Sequence, residues 1–134
     1  MKAIERVQKR ATKLIPKLKN LPYIDRLQAL NLPALSYRRK RGDLIMYYKI
    51  MTERLSIDKK EFFTINERDS RGHNLKIMKT QRATKQTRCQ SFAIRSVNDW
   101  NSLPSEVVQA QSVNDFKNKL DEFWLHKKFE SPYM

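Results

Sequence analysis

Glycine is nearly missing from this chain, with two in 134 residues. That excludes glycine-rich phosphate cradles such as the P-loop and the dinucleotide fingerprint. Nucleotide-hydrolysing and nicotinamide-dependent enzymes are set aside with them. A single cysteine, Cys89, allows no internal disulfide and favours an intracellular setting. It sits beside Arg88, which can lower a thiol pKa, but an incidental thiol is the better reading. The two histidines, His73 and His126, have no cysteine or histidine nearby at ligand spacing, so neither a metal nor a cofactor is expected. Asp25, Asp43, Asp58, Asp69, Asp99, Asp115 and Asp121 are scattered, which gives no paired carboxylates for two-metal phosphoryl transfer. No apolar run approaches the length of a bilayer-spanning helix, and the first residues lack a hydrophobic signal core. Neither a catalytic constellation nor a small-molecule site emerges.

Negative charge is the other scarcity. Fourteen acidic residues face 28 basic ones, a formal net charge of +14. Solubility requires far less, so a polyanionic partner is the natural inference, and nucleic acid is the commonest one. The excess is uneven: residues 1–54 carry net +10, residues 55–100 net +5, and residues 101–134 net −1. An anion-binding surface is therefore expected on the first two thirds, with the last third as packing or support.

Apolar spacing predicts a mainly α fold: one domain over 1–126, with five to six helices and a tail frayed over 127–134. Its parts are a basic three-helix section (1–54), a basic loop or short two-stranded β ribbon (55–90) and C-terminal helices (91–126). Ile4, Val7, Ala11, Leu14 and Leu18 form one apolar seam, predicting a helix from about Lys2 to Ile15 that packs on that side. Pro16 ends or kinks it. Leu21 to Leu32 reads as a second helix, with Pro22 in its first position, a stripe of Ile24, Leu27 and Leu30, and Asn31 as C-terminal cap.

A third helix runs from Pro33 to about Arg54. Its predicted buried face is Tyr37, Arg41, Leu44, Ile45, Tyr48 and Met51, with the Arg41 stem lying along apolar surface. Gly42 inside it points to a close backbone approach or a bend. Phe62-Phe63-Ile65 and Leu75-Ile77-Met78 read as short β-type runs about a turn at Arg71-Gly72-His73. Phe92, Ile94, Val97 and Trp100 form an apolar cluster. Ser112 looks like an N-cap with Asp115 in capping-box position, ahead of a stripe of Val113, Phe116, Leu120, Phe123 and Trp124.

Three basic groups are candidates for phosphate contact: Arg6, Lys9, Arg10 and Lys13; then Arg38, Arg39, Lys40 and Arg41; then a track including Arg71, Lys76 and Lys79 and continuing through Arg82, Lys85 and Arg88. The tyrosines and Trp100 are expected in the core rather than as a base-stacking platform. The run Arg38-Arg39-Lys40-Arg41 also has the composition of a nuclear address, although a run built into a helix is a poor signal.

Five pieces of the chain carry a family likeness. They are Ile4-Glu5-Arg6-Val7-Gln8-Lys9-Arg10-Ala11-Thr12-Lys13-Leu14-Ile15; Tyr37-Arg38-Arg39 with Arg41-Gly42-Asp43-Leu44; Arg71-Gly72-His73; Val97-Asn98-Asp99-Trp100-Asn101-Ser102-Leu103-Pro104; and Ser112-Val113-Asn114 with Phe116-Lys117. In order and spacing the sequence resembles the stretch following the polymerase core in non-LTR (LINE-type, jockey-like) retrotransposon reverse transcriptases. The resemblance implies the thumb and adjoining C-terminal region of an RNA-directed DNA polymerase, a helical part resting on a primer–template duplex. The palm's aromatic-x-Asp-Asp strand, the fingers and the endonuclease have no counterpart here. The expected function is therefore non-catalytic, sequence-independent binding of a duplex or RNA–DNA hybrid backbone. The alternatives are a protein-interaction module, whose surfaces the missing polymerase portion would cover, or an inert remnant of a decayed element. In that module the seam from Ile4 to Leu18 and the Trp100 and Trp124 clusters are the sticky surfaces.

Overall fold

The computed structural model describes residues 2–66, 68, 71–78 and 92–130. It is mainly helical, as the spacing predicts. The chain divides into two compact units, residues 1–41 with 124–134 and residues 42–123, a partition different from the one drawn at 54 and 90.

In the first unit, α1 spans Lys2–Lys13 and stops short of Pro16, which opens a 3-10 turn over Pro16–Leu18. The expectation that the α1 seam packs inward is overturned. Ile4 is 58 %, Val7 68 % and Leu14 79 % exposed, while Glu5 is 1 % exposed. A polar stripe at the same three-and-four spacing, Glu5, Gln8 and Thr12, turns inward instead because each member finds a partner there. Tyr23 donates its hydroxyl proton to Glu5 at 2.6 Å, and the Ser36 backbone N–H donates to the other Glu5 oxygen at 3.1 Å. Gln8 donates to the Tyr23 hydroxyl and to the Pro33 carbonyl. Buried Arg26 donates to the Thr12 hydroxyl at 3.0 Å and to the Lys9 and Leu21 carbonyls.

Helix α2, Tyr23–Leu30, begins after Pro22 and closes as expected on Asn31. Asn31 adopts φ 52°, and the Leu32 N–H reaches back to the Leu27 carbonyl. Its buried residues are Tyr23, Arg26 and Leu27, whereas Ile24 of the predicted stripe is exposed. Helix α3, Leu35–Met51, belongs to both units, with Leu35–Arg41 in the first. Glu5 serves as the anion at its N-terminus, satisfying an N–H left open by the helix geometry.

The tail predicted to fray is docked as far as it is described. Leu125–Lys127 forms a 3-10 turn, the Lys128 carbonyl accepts from the Ala34 N–H, and the Lys128 ammonium donates to Asn31. Trp124 is buried, with its ring centroid 6.0 Å from that of Tyr37.

The second unit is built on the rest of α3. Leu44, Tyr47, Tyr48, Ile50 and Met51 are buried, joined by Asp43, so the apolar face is wider than predicted and Ile45 is only half-buried. Tyr47 donates to the Phe92 carbonyl and Tyr48 to the Ala110 carbonyl. Burial pushes the Tyr47 hydroxyl up to about 12, which keeps it protonated and donating. No heavy atom lies within 4 Å of a Cβ built on Gly42, so the expected close approach is not there.

Helix α4, Lys59–Phe62, is capped by Asp58, which takes Phe62 out of the predicted β run. Among the described residues the ribbon reduces to one antiparallel bridge, Ile65 to Ile77, flanked by bonds from Asn66 N–H to the Lys76 carbonyl and from Met78 N–H to the Thr64 carbonyl. Between them Gly72 takes φ +96°, a conformation that side chains resist. Short helices α5 (Phe92–Arg95), α6 (Val97–Asn101) and α7 (Ser105–Val108) lead to α8, Val113–Phe123. Ser112 caps α8 through the Asp115 N–H, and the Asp115 carboxylate accepts from Gln111 N–H. Phe116 and Leu120 are buried, and Phe123 of the predicted stripe is 40 % exposed.

Candidate nucleic-acid interface

An α-helix advances about 100° per residue, so cations spaced by three and four share a side while consecutive cations do not. That rule separates the two predicted groups in the first unit. Arg6, Arg10 and Lys13, with Lys2 and Lys9, fall on one arc of α1, and all are exposed. Arg6, Arg10 and Lys13 form no ion pair among the described residues. Lys9 is committed in part, with its ammonium 5.9 Å from the centroid of the Tyr23 ring.

The run Arg38 to Arg41, by contrast, winds around α3. Arg38 and Lys40 are exposed; Arg39 and Arg41 are half-buried, the Arg39 Nε is enclosed, and Lys40 and Arg41 already have partners. These four do not make a single patch.

The sign of the surface follows from counting each unit. Residues 1–41 and 124–134 contain 14 basic and 3 acidic residues, net +11. Residues 42–123 contain 14 basic and 11 acidic, net +3. Of the first unit's three carboxylates, Glu5 is buried against Tyr23 and Ser36, leaving Asp25 and Glu130 at the surface. Burial, and after it the Glu5 hydrogen bond, pushes the Tyr23 hydroxyl up to about 12, so it remains a proton donor to Glu5.

No protein-family model, curated protein or solved structure matches this chain.

In the second unit the middle track is partly structural. Lys76 folds over Gly72 and donates to the Arg71 carbonyl, closing the turn, while Arg71 and Arg68 are exposed. Lys79, Arg82, Lys85 and Arg88 lie outside the described residues, as do Cys89 and Ser91. Arg95 is held by Asp43 through two hydrogen bonds of 2.6 Å, and Ser96 donates to the same carboxylate at 2.8 Å. Arg54 donates to the Gln111 carbonyl and lies over the Tyr48 ring.

The residues that stood out in the sequence largely hold the fold. Trp100 donates to the Leu75 carbonyl, His73 bonds the Trp100 carbonyl, and both amide atoms of Asn101 engage the Ile77 backbone. Sequence reading missed Glu5, Arg26 and Asp43 as anchors. For Glu5 the signal was available: it is the one acid among the cations of α1, and its spacing with Gln8 and Thr12 is as regular as the apolar seam. The aromatics Tyr23, Tyr37, Tyr47, Tyr48 and Trp100 are all buried, so none offers a face to a base. Among the described residues no group of His, Cys, Asp and Glu is placed to hold a metal ion, and no helix is long and apolar enough to cross a membrane.

Proposed function

We propose that the chain is a non-catalytic binder of the nucleic-acid backbone, acting through the first unit, with α1 as the principal contact. What supports this most is the charge of that unit: net +11, with one of its three carboxylates withdrawn into the interior to cap α3. Arg6, Arg10 and Lys13 then present cations with no ion pair among the described residues, along about two helical turns. That spacing suits successive phosphates more than base edges. Arg38 and Lys40 add charge to the same unit, and Arg71 is an accessory contact on the other. The likeness to the thumb and adjoining region of a retrotransposon reverse transcriptase supports a duplex or RNA–DNA hybrid as the partner. On this reading the chain performs no chemistry of its own.

Titrating the full chain onto a labelled duplex at increasing salt tests the reading. The log of affinity should fall linearly with log salt, at about −0.9 per phosphate neutralised. Replacing Arg6, Arg10 and Lys13 together with Gln should reduce that slope by about 2 to 3 and weaken unrelated sequences alike. Binding indifferent to ionic strength, or a triple variant with an unchanged slope, would overturn it.

A further inference from the structure

We propose that the apolar side of α1 is a docking groove for an amphipathic helix flanked by carboxylates, supplied by another polypeptide. Three arcs divide α1. The polar arc of Glu5, Gln8 and Thr12 faces inward and each member is hydrogen-bonded there, which fixes the helix rotation. The basic arc faces solvent. The third arc, with Ile4, Val7 and Ala11 and continued past the helix end by Leu14 and Ile15, is apolar and also exposed. A helix free to rotate would bury that arc, so its exposure is imposed by the buried polar contacts.

The arc is also the floor of a concavity. Ile4, Val7, Ala11 and Ile15 face Leu32 and Leu35 across a groove of about 500 Å³. On the opposite side Ala3, Val7 and Leu14 continue into a smaller hollow of about 300 Å³ rimmed by Arg6 and Arg10. From Ala3 to Ala11 the floor runs for about 12 Å, just over two helical turns, at 1.5 Å per residue, and Leu14 and Ile15 extend it beyond the end of α1. Contiguous exposed apolar surface on this scale marks an interaction site rather than scattered surface hydrophobes.

Charge selects the occupant. The rim on the Ala3 and Leu14 flank is cationic, and among the described residues Arg6 and Arg10 have no carboxylate partner of their own. A second copy of this chain would bring the same arginines together across the contact, and the only acid on α1 is the buried Glu5. Nucleic acid supplies the anion but no aliphatic side chains to fill the floor. A lipid surface is a poor match because the cations flank the arc on one side only, whereas a helix lying in a bilayer carries them on both. An amphipathic helix with apolar residues at i, i+3, i+4 and i+7 fills the groove, and Asp or Glu beside that stripe meets Arg6 and Arg10.

The test uses the full chain and a designed helical peptide of about 18 residues with a leucine stripe flanked by Glu, beside a version flanked by Lys. Anionic phospholipid vesicles and light scattering of the protein alone complete the set. The Glu-flanked peptide should bind at least about tenfold more tightly than the Lys-flanked one. Val7→Asn combined with Leu14→Asn, uncharged polar changes at two exposed positions, should abolish that binding while leaving the salt-dependent duplex affinity unchanged. Arg6→Gln with Arg10→Gln should weaken both. The groove proposal falls if the Glu-flanked peptide fails to bind, if the two peptides bind equally, if only vesicles are captured, or if the protein self-associates through Val7 and Leu14. None of those results bears on the duplex titration, which tests the nucleic-acid proposal independently.

Discussion

His73 shows how one side chain links a turn to a helix and makes the link sensitive to pH. Its Nδ1 accepts the Leu75 N–H at 3.2 Å, so the ring proton belongs on Nε2, which lies 3.0 Å from the Trp100 carbonyl. Protonating Nδ1 would point a second N–H at the Leu75 N–H. Burial accordingly pushes the His73 pKa below its ordinary value of 6.5. Because the folded value is depressed, the unfolded chain binds more protons near pH 6, and the stability this group contributes is complete above 6.5 and lost as pH falls through the folded value. The melting temperature should drop between about pH 7.5 and 5.5, and His73→Gln should flatten that drop. A wild-type melting profile with no slope in that window would refute the assignment. Nothing in the sequence marked the histidine as a link to the core. Its partner Trp100 lies 27 positions away, at a separation that local patterning does not reach.

At the scale of elements, α3 carries two residues in each other's preferred place. Gly42 sits in the helix interior with open space around its Cα, where alanine would restrict the unfolded chain without a clash. Glu53 closes the helix at φ 58°, a left-handed position that glycine occupies without cost, and the Arg54 N–H reaches back to the Lys49 carbonyl there. Gly42→Ala and Glu53→Gly should therefore each stabilise the fold by about 0.5 to 1 kcal/mol and add nearly independently, as read by chemical denaturation. The same misplacement explains why the predicted end at Arg54 overshot the observed one at Met51. The sequence offers no glycine or asparagine to signal the stop, whereas Asn31 after α2 and Pro16 after α1 gave legible ones. The α1 interface was misjudged for a related reason. Apolar periodicity reveals that a helix has a distinct side, but not whether hydrogen bonds can hold a polar side inward more firmly.

Across the whole molecule the net positive charge is concentrated in one unit, where few carboxylates offset the cations, and their mutual repulsion opposes its folding. Raising salt from about 0.02 to 0.5 M shrinks the screening length severalfold, so the melting temperature of the full chain should rise over that range. The Arg6→Gln, Arg10→Gln variant should start higher and rise less. A melting temperature insensitive to salt in both proteins would mean that the repulsion is already relieved within the fold.

Composition and apolar spacing determined the helical class, the surplus of positive charge and the location of most of that surplus near the N-terminus. Helix spacing also determined that Arg6, Arg10 and Lys13 share a side, since the period of a helix is fixed by its backbone. Only tertiary structure decided which side of α1 meets solvent, because that depended on Tyr23, Arg26 and Ser36 arriving from elsewhere to bond Glu5 and Thr12. A buried carboxylate with two good donors outweighs the pull of a few aliphatic side chains, so the greasy side was left outward.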